Sequence, residues 1–468
     1  MNIETLAAFG IYFSILLSIG LYFYHKNKNE ADFAVGGRSL NYWVTALSAQ
    51  ASDMSDWLFM GFPGLIYAAG LNKIWVAVGL VVFMFATWHF IAERFRIQTE
   101  KHNAITLASF FQKRFGDKSN LIRFITSIIC IYFFTFYMAA GFIGLGRVFE
   151  SAFSFSYQSG LLIGFCVTMG YTLLGGLFAI AWGDLFQGIF LLIMIMLVPY
   201  YTVTNLGGLQ ETLNIIAQQD PEFLAWQPMS WLATLIAVGS WGIGYFGQPH
   251  ILINFMSIDK PENVRKAKFV GITWQLLALT SAVFVSIAGK AFFVTELADR
   301  EMVFIDLVQH LFTPFFAGFI LCAILAATIS TINTQSLVSG SLLSHDLLQP
   351  LFGGSFSERH KVILSRLSIL LFPLISLAVA WHPTKNILDT VLYAWSGLGA
   401  SFGPIVILAL YNIKVTKYGV IAGLLSGSIT ALLWSPQSTL PTLIVGFIAN
   451  LFITLAVSYA PRQKCCRA

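Results

Sequence analysis

The chain has 468 residues, 57% of them hydrophobic and only 10% charged, with a mean hydropathy of +0.75. A soluble domain carries about 25% charged residues, so the composition excludes a soluble enzyme or binding domain and describes a polytopic membrane protein. The net charge of +5 calls for no nucleic-acid partner, because the basic residues fall where a membrane topology needs them.

At about 20 apolar residues per crossing, thirteen spans are predicted, at 5–24, 39–69, 72–92, 121–149, 157–177, 184–205, 231–256, 268–291, 313–345, 362–381, 387–412, 417–434 and 440–460. The first is too long for a signal-peptide core and lacks a small-residue cleavage motif, so it reads as a span. The polar gaps reach about 30 residues, too short for an independent domain. With the N-terminus outside, the cytoplasmic side holds Lys26, Lys28, Arg38, the cluster from Arg94 to Arg123, and the groups around Lys260–Lys268, Arg359–Arg366, Lys414–Lys417 and Arg462–Arg467. That is 22 of the 27 basic residues. Lys73, Arg147, Lys290, Arg300 and Lys385 remain outside, and the C-terminus is cytoplasmic, as the positive-inside rule requires. Cys130, Cys166 and Cys322 lie in apolar runs and read as small buried hydrophobes. Cys465 and Cys466 sit in a basic tail, a context that lipidation uses.

The second span, 45-TALSAQASDMSDWLFMGFPGLIYAAG-70, holds Asp53 and Asp56 among Ser48, Ser52 and Ser55. An uncompensated Asp at the bilayer centre costs about 2.5–3.5 kcal/mol on insertion scales, so acids there point to function. A helix break is expected near 61-GFPG-64. The seventh span, 240-SWGIGYFGQPHILINF-255, is weakened by Gly242, Gly244, Gly247 and Pro249. With the first span set aside, these are the first members of two five-helix sets. An odd set inverts when it repeats, and interrupted helices in matching positions mark a transporter binding site.

Freed carbonyls suit a hard cation, and half-helix N-termini suit a carboxylate. A second polar cluster, 326-AATISTINTQS-336, places Ser330, Thr331 and Thr334 with shared helix faces, and Asn333 alongside. Oxygen donors without nearby His or Cys suit Na⁺ rather than a transition metal. Asp184, in 181-AWGDLFQG-188, is expected to cap the sixth span or to belong to an inward ion path. Trp57, Trp241 and Tyr245 are candidates to wall a substrate. The histidines form no catalytic or metal constellation: His89, His102, His345 and His360 fall near loops, and His250 stands alone. An enzyme is not expected.

The stretches 36-GGRSL-40, 44-VTALSAQASDMSDWLFMG-61, 133-FFTFYMAAG-141, 241-WGIGYFGQPHIL-252, 323-AILAATISTINTQ-335 and 392-LYAWSGLGASFGP-404 resemble the sodium/solute symporter family, and within it the sodium/proline branch. The resemblance implies an all-α leucine-transporter-type core of inverted five-plus-five repeats, with one helix before it and two after. The parts would be 1–38, 39–205, 231–412 and 413–468 of one transporter domain. It implies Na⁺-coupled uptake of proline across the plasma membrane, or of another amino acid or small carboxylate. A transporter-like sensor is the less favoured reading. No cofactor is expected beyond Na⁺ as coupling ion, and the expected form is a monomer in membrane lipid.

By the same resemblance, Na⁺ would be bound by backbone oxygens of Ala51, Met54 and Ala327 and side-chain oxygens of Ser330 and Thr331. Asp53, Asp184 and Arg38 would serve sodium coupling. Ser55, Trp57, Tyr137, Trp241, Tyr245 and Pro249 would bind substrate, with Asp56 beside them. Two residues depart from the branch: Lys73 stands where an acid is usual, and Asp56 where Gly is usual. An extra carboxylate at 56 would repel a substrate's carboxylate or attract an amine, so Asp56 is expected to be protonated or paired with one.

Overall fold

In hydrocarbon, each backbone N–H and C=O must be satisfied within the protein, so the apolar runs fold as helices. The computed structural model describes residues 3–23, 34–225, 228–351, 358–383, 385–434 and 438–460. Lys26, Lys28, Arg462, Lys464, Cys465, Cys466 and Arg467 lie outside these residues.

Helix α1 (Ile3–Phe23) precedes two half-helices, α2 (Tyr42–Asp53) and α3 (Gly61–Ala69), which fill the second predicted span. Next, α4 (Ile74–Ala86) passes through a π-helical turn, Thr87–Ala92, into α5 (Glu93–Lys101). The chain continues through α6 (Leu107–Arg114), α7 (Leu121–Phe153), α8 (Tyr157–Asn205) and α9 (Leu209–Gln219). A second pair of half-helices follows, α10 (Trp231–Gly242) and α11 (Pro249–Ser257). After them come α12 (Val264–Phe292), α13 (Val303–Leu311), α14 (Pro314–Ser341), α15 (Glu358–Ala380), α16 (Ile387–Leu410), α17 (Lys417–Leu433) and α18 (Thr442–Tyr459). Among the described residues, nine helices are long and apolar enough to cross a membrane. The other four predicted spans are helical but not simple crossings. The second and seventh are interrupted, the fifth shares α8 with the sixth, and the twelfth is the 17-residue α17.

Three expectations need correction. The first break lies at residues 54–60, upstream of Gly61-Phe62-Pro63-Gly64, which forms the first turn of α3. Proline is tolerated in a first turn because its missing N–H would be unsatisfied there anyway. The fifth and sixth spans form one helical element of 49 residues, so Asp184 lies inside a helix and caps nothing. Cys130 and Cys322 are buried as expected, but Cys166 is exposed on α8.

The long element α8 is not straight. Its first half packs on α7, with Gly160 against Phe149, and its second half brings Tyr201 onto Phe312. Phe149 meets Phe9 of α1, while Thr5 of α1 donates to the Pro314 carbonyl. Gly160 and Tyr201 therefore both lie towards the start of α1, where a straight helix would hold them about 62 Å apart.

Two clasps hold the halves together. At one end, Leu40 N–H donates to Ser257 O (3.0 Å) and Asp259 N–H donates to Leu40 O (2.8 Å), joining the lead-in to α2 with the exit from α11. At the other, the buried Glu301 accepts from Ile387 N and Leu388 N at 3.0 and 2.9 Å, and pairs with Arg147 of α7 at 2.8 Å. Glu301 thus caps α16, placing a negative charge at its positive end. Removing the acceptor would strand the buried Ile387 and Leu388 N–H groups, at about 1–3 kcal/mol each. Glu301→Ala should therefore lower the thermal midpoint of the purified protein, measured by intrinsic fluorescence, well beyond the loss from Glu301→Gln, which keeps one acceptor.

Candidate functional site

The first break forms because short polar side chains compete with the helix ladder from Ser52 onward. Asn41 starts α2 by accepting from Trp43 N and Val44 N, both at 3.0 Å. The helix stops at Met54 (φ −88°, ψ 85°) and Ser55 (φ −84°, ψ −158°). The indole N–H of Trp57 then donates to Asp53 O at 3.0 Å. It supplies, from a side chain, the bond that the backbone N–H of the same residue would make in a continuous helix.

The second break runs through a 3₁₀ turn, Ile243–Gly247, and an extended Gln248. Trp395 of α16 donates to Trp241 O at 2.9 Å, and Gln248 donates to Gly244 O at 3.2 Å and Trp395 O at 3.1 Å. A Cβ at position 244 would sit 2.1 Å from Trp395 Nε1, so glycine is needed for that approach.

The sodium-site candidates converge. Ala51 is in the last turn of α2, and Ser55, which would close the next turn, has left the helix. The hydroxyl of Thr331 on α14 lies 3.4 Å from Ala51 O and donates to Ala327 O at 3.0 Å. Ser330 donates to Asp184 Oδ1 at 2.6 Å, and Ser48 of α2 donates to Asp184 Oδ2 at 2.6 Å. Asp184 is thus a fully buried tie between α2, α8 and α14. Met54, also fully buried, opens the break. This set of carbonyl and hydroxyl oxygens beside carboxylates has the chemistry of a hard-cation site.

Asp53 joins the two breaks, because Tyr245 donates to its Oδ2 at 2.7 Å and Gln275 of α12 donates to the Tyr245 hydroxyl at 3.1 Å. Trp57 and Trp241 pack with ring centroids 4.7 Å apart, and Tyr245 meets Trp395 edge-on at 5.0 Å. Tyr137 of α7 meets His250 at 5.5 Å, and Pro249 begins α11 beside it. Among the described residues, buried polar atoms without hydrogen-bond partners gather here: Ser55 Oγ, both oxygens of Asp56, Tyr137 Oη, Trp241 Nε1 and both ring nitrogens of His250. Buried polar groups are ordinarily satisfied, so this concentration is the mark of a ligand site.

Arg38 is not brought to these groups. It ends the turn Gly36–Arg38 at φ +55° and donates to Thr99 Oγ1 (3.3 Å), Met256 O (3.0 Å) and Ala104 O (2.7 Å). Burial, helped by the nearby Arg96 charge, lowers its pKa to about 10, so it remains a cation at neutral pH. Its role here is to bind α5 and the segment after it to α11. Sequence reasoning missed Trp395, Gln248 and Gln275, whose signal was no more than a polar or indole group in an apolar run. His250 was seen but given no role.

A family model described as the sodium:solute symporter family matches residues 33–427. The chain belongs to the sodium:solute symporter family. The high-affinity proline transporter PutP of Bacillus subtilis (strain 168) is 39% identical over 458 residues, 96% of this chain and 97% of that protein. A sodium/proline symporter of Staphylococcus aureus (strain USA300) is 38% identical over 475 residues, 98% of this chain and 93% of that one. The solved structure of a Na⁺-coupled sialic acid symporter, substrate-bound and outward-open, superposes with a TM-score of 0.83 at 17% identity, covering 98% of each chain. At that identity the likeness speaks for the fold, which is the leucine-transporter-type core.

Gly144 of α7 provides a test of the packing at Asp56. A Cβ there would meet Asp56 Oδ2 at 2.1 Å and Asp56 Cβ and Cγ at 2.9 Å. Overpacking costs about 1–3 kcal/mol. Gly144→Ala should lower thermal stability by about that amount, and adding Asp56→Gly, which empties the space, should restore most of it. A double variant no more stable than Gly144→Ala would show that the clash lies elsewhere.

Proposed function

We propose that this protein is a symporter that couples inward Na⁺ movement to uptake of L-proline across the plasma membrane. The observation that carries this reading is the full-length identity of 38–39% to a proline transporter and a sodium/proline symporter. The geometry supports it. Na⁺ fits where Ala51 and Met54 at the end of α2 meet Ala327, Ser330 and Thr331 on α14, with Asp184 bonded to Ser330 and Asp53 one residue before Met54. Proline is assigned to the region between the breaks, beside Ser55, Trp57, Tyr137, Trp241, Tyr245 and Pro249, where apolar rings and unpartnered donors occur together.

Moving one positive charge down 100 mV supplies about 2.3 kcal/mol, to which a sodium concentration gradient adds. Na⁺ at the end of α2 would hold the first break in its unwound form and fix Asp53, whose bond to Tyr245 reaches the second break. Ion and substrate would then favour the same arrangement of the two broken helices, which is the requirement for coupled rather than independent passage.

Radiolabelled proline uptake into proteoliposomes should depend steeply on an inward Na⁺ gradient, and equal uptake without Na⁺ would refute the coupling. The double variant Ser330→Ala/Thr331→Ala should raise the Na⁺ concentration for half-maximal uptake at least tenfold while leaving the protein in the membrane. Unchanged sodium dependence would remove Ser330 and Thr331 from the ion site.

Orientation follows from charge placement: Lys101 and Lys266 cytoplasmic, Glu211 and Asp299 external. Single cysteines at 211 and 299 in a cysteine-free background should label with an impermeant maleimide in intact cells, and those at 101 and 266 should not. Strong external labelling at 266 would overturn the topology.

A further inference from the structure

Asp56 is fully buried, and beyond the adjacent Ser55 hydroxyl and Trp57 amide, neither of which reaches full hydrogen-bond geometry, its carboxylate has no polar partner among the described residues. The other two acids of this region are bonded: Asp184 accepts two hydroxyls and Asp53 one phenol. Asp56 therefore keeps most of its accepting capacity free while fully buried. It sits in the first break between Ser55 and Trp57, with Oδ2 pressed against the backbone of Gly144. Arg147, three residues further along α7, is committed to Asp299 and Glu301, at 3.1 and 2.8 Å.

The free groups around Asp56 divide by chemistry. Ser55 Oγ, Tyr137 Oη and Trp241 Nε1 are unpartnered and can donate, which suits a carboxylate. A carboxylate side chain accepts, and suits an ammonium. Trp57 and Trp241, packed 4.7 Å apart, add aromatic faces of the kind that favour cations. Donors for an anion next to an acceptor for a cation form the complement of a small zwitterion.

We propose that Asp56 receives the ammonium of the substrate, so that the site reads the amine of a small α-amino or α-imino acid as well as its carboxylate. The inference rests on the proposed transport function and deepens it. A carboxylate substrate lacking the amine would bring its negative charge towards Asp56 with nothing to offset it, and would be rejected. Sodium is not the ion assigned to Asp56, because its donors are the oxygens at the end of α2 and on α14.

The test compares ring pairs that differ at one atom. Tetrahydrofuran-2-carboxylate keeps the ring and carboxylate of proline but has oxygen in place of the secondary amine. In proteoliposomes holding the wild-type protein, a hundredfold excess should not inhibit proline uptake. In Asp56→Asn, nearly isosteric and uncharged, the KM for proline should rise about tenfold or more, the oxygen analogue should become a competitor, and half-saturating Na⁺ should move less than twofold. Asp56→Gly should show the same loss of discrimination, which guards against a folding defect peculiar to one variant.

Unchanged KM and competitor ranking in both variants would overturn the proposal. So would a rise in half-saturating Na⁺ matching the rise in KM, which would make Asp56 part of an ion site. Should the wild type not transport proline, the proposed substrate fails but Asp56 can still be judged. Ligand-induced thermal stabilisation of the purified protein would then be measured over amino acids and their des-amino counterparts. The amine-bearing member of a pair should stabilise the wild type selectively, and a gap that persists in Asp56→Asn would overturn the inference.

Discussion

A backbone cannot be left unsatisfied inside a bilayer, and the two helix breaks meet this constraint largely with side chains. Trp57 donates to Asp53 O, Trp395 to Trp241 O and Gln248 to Gly244 O. Each of these replaces part of a ladder that the sequence interrupts. Two of the replacements come from the breaks themselves and one, Trp395, from α16, so each break is held in a defined shape instead of frayed. Oxygens not consumed in this way, at Ala51 and in the polar run of α14, are free for a cation. The site is thus a consequence of how the breaks are repaired.

The three buried acids grade from fully tied to free. Asp184 holds two hydroxyls at 2.6 Å and links three helices. Asp53 holds one phenol and links the two breaks. Asp56 holds none among the described residues. Burying a charge without a partner is costly, so this order also ranks how strongly each acid calls for a cation to complete it. An acid that is already satisfied can shape a site, whereas an unsatisfied one discriminates among ligands.

Much of this was legible in the sequence, and for identifiable reasons. Hydropathy gave the helical class, and Gly242, Gly244 and Gly247 gave the second break, because three glycines in six residues weaken a helix, while Pro249 suits the start of the next one. The first break was misplaced by several residues. Gly61-Phe62-Pro63-Gly64 looks like a breaker, but proline at the start of a helix is harmless, while the Ser-Asp pattern before it did the breaking through side-chain competition. For Asp184 a helix cap and a place on an ion path stood side by side, because local sequence cannot reveal that Ser48 and Ser330, over a hundred residues away on either side, supply its donors. The bonds of Arg38 go to backbone and to Thr99, contacts that charge alone does not foretell. Trp395 and Gln248 went unassigned since their function is to repair a distant backbone, which has no local signature.

The bond between Tyr245 and Asp53 carries the argument from structure to coupling. Tyr245 belongs to the second break and Asp53 to the first, so neither half-helix pair can change shape at this level without altering the other's polar partner. A cation at the proposed site by the end of α2 would lie near Asp53, the residue just before Met54, and would compete or cooperate with the Tyr245 hydroxyl for its negative charge. Tyr245 also packs edge-on against Trp395, which holds the Trp241 carbonyl, and Trp241 packs on Trp57. A change at Asp53 therefore propagates within one shell of contacts to the aromatic walls between the breaks. Linkage makes the effect reciprocal: whatever a substrate does to those walls must change the affinity of the cation by the same factor. A carrier needs no longer path than this if, as proposed, its ion and substrate sites share the two interrupted helices.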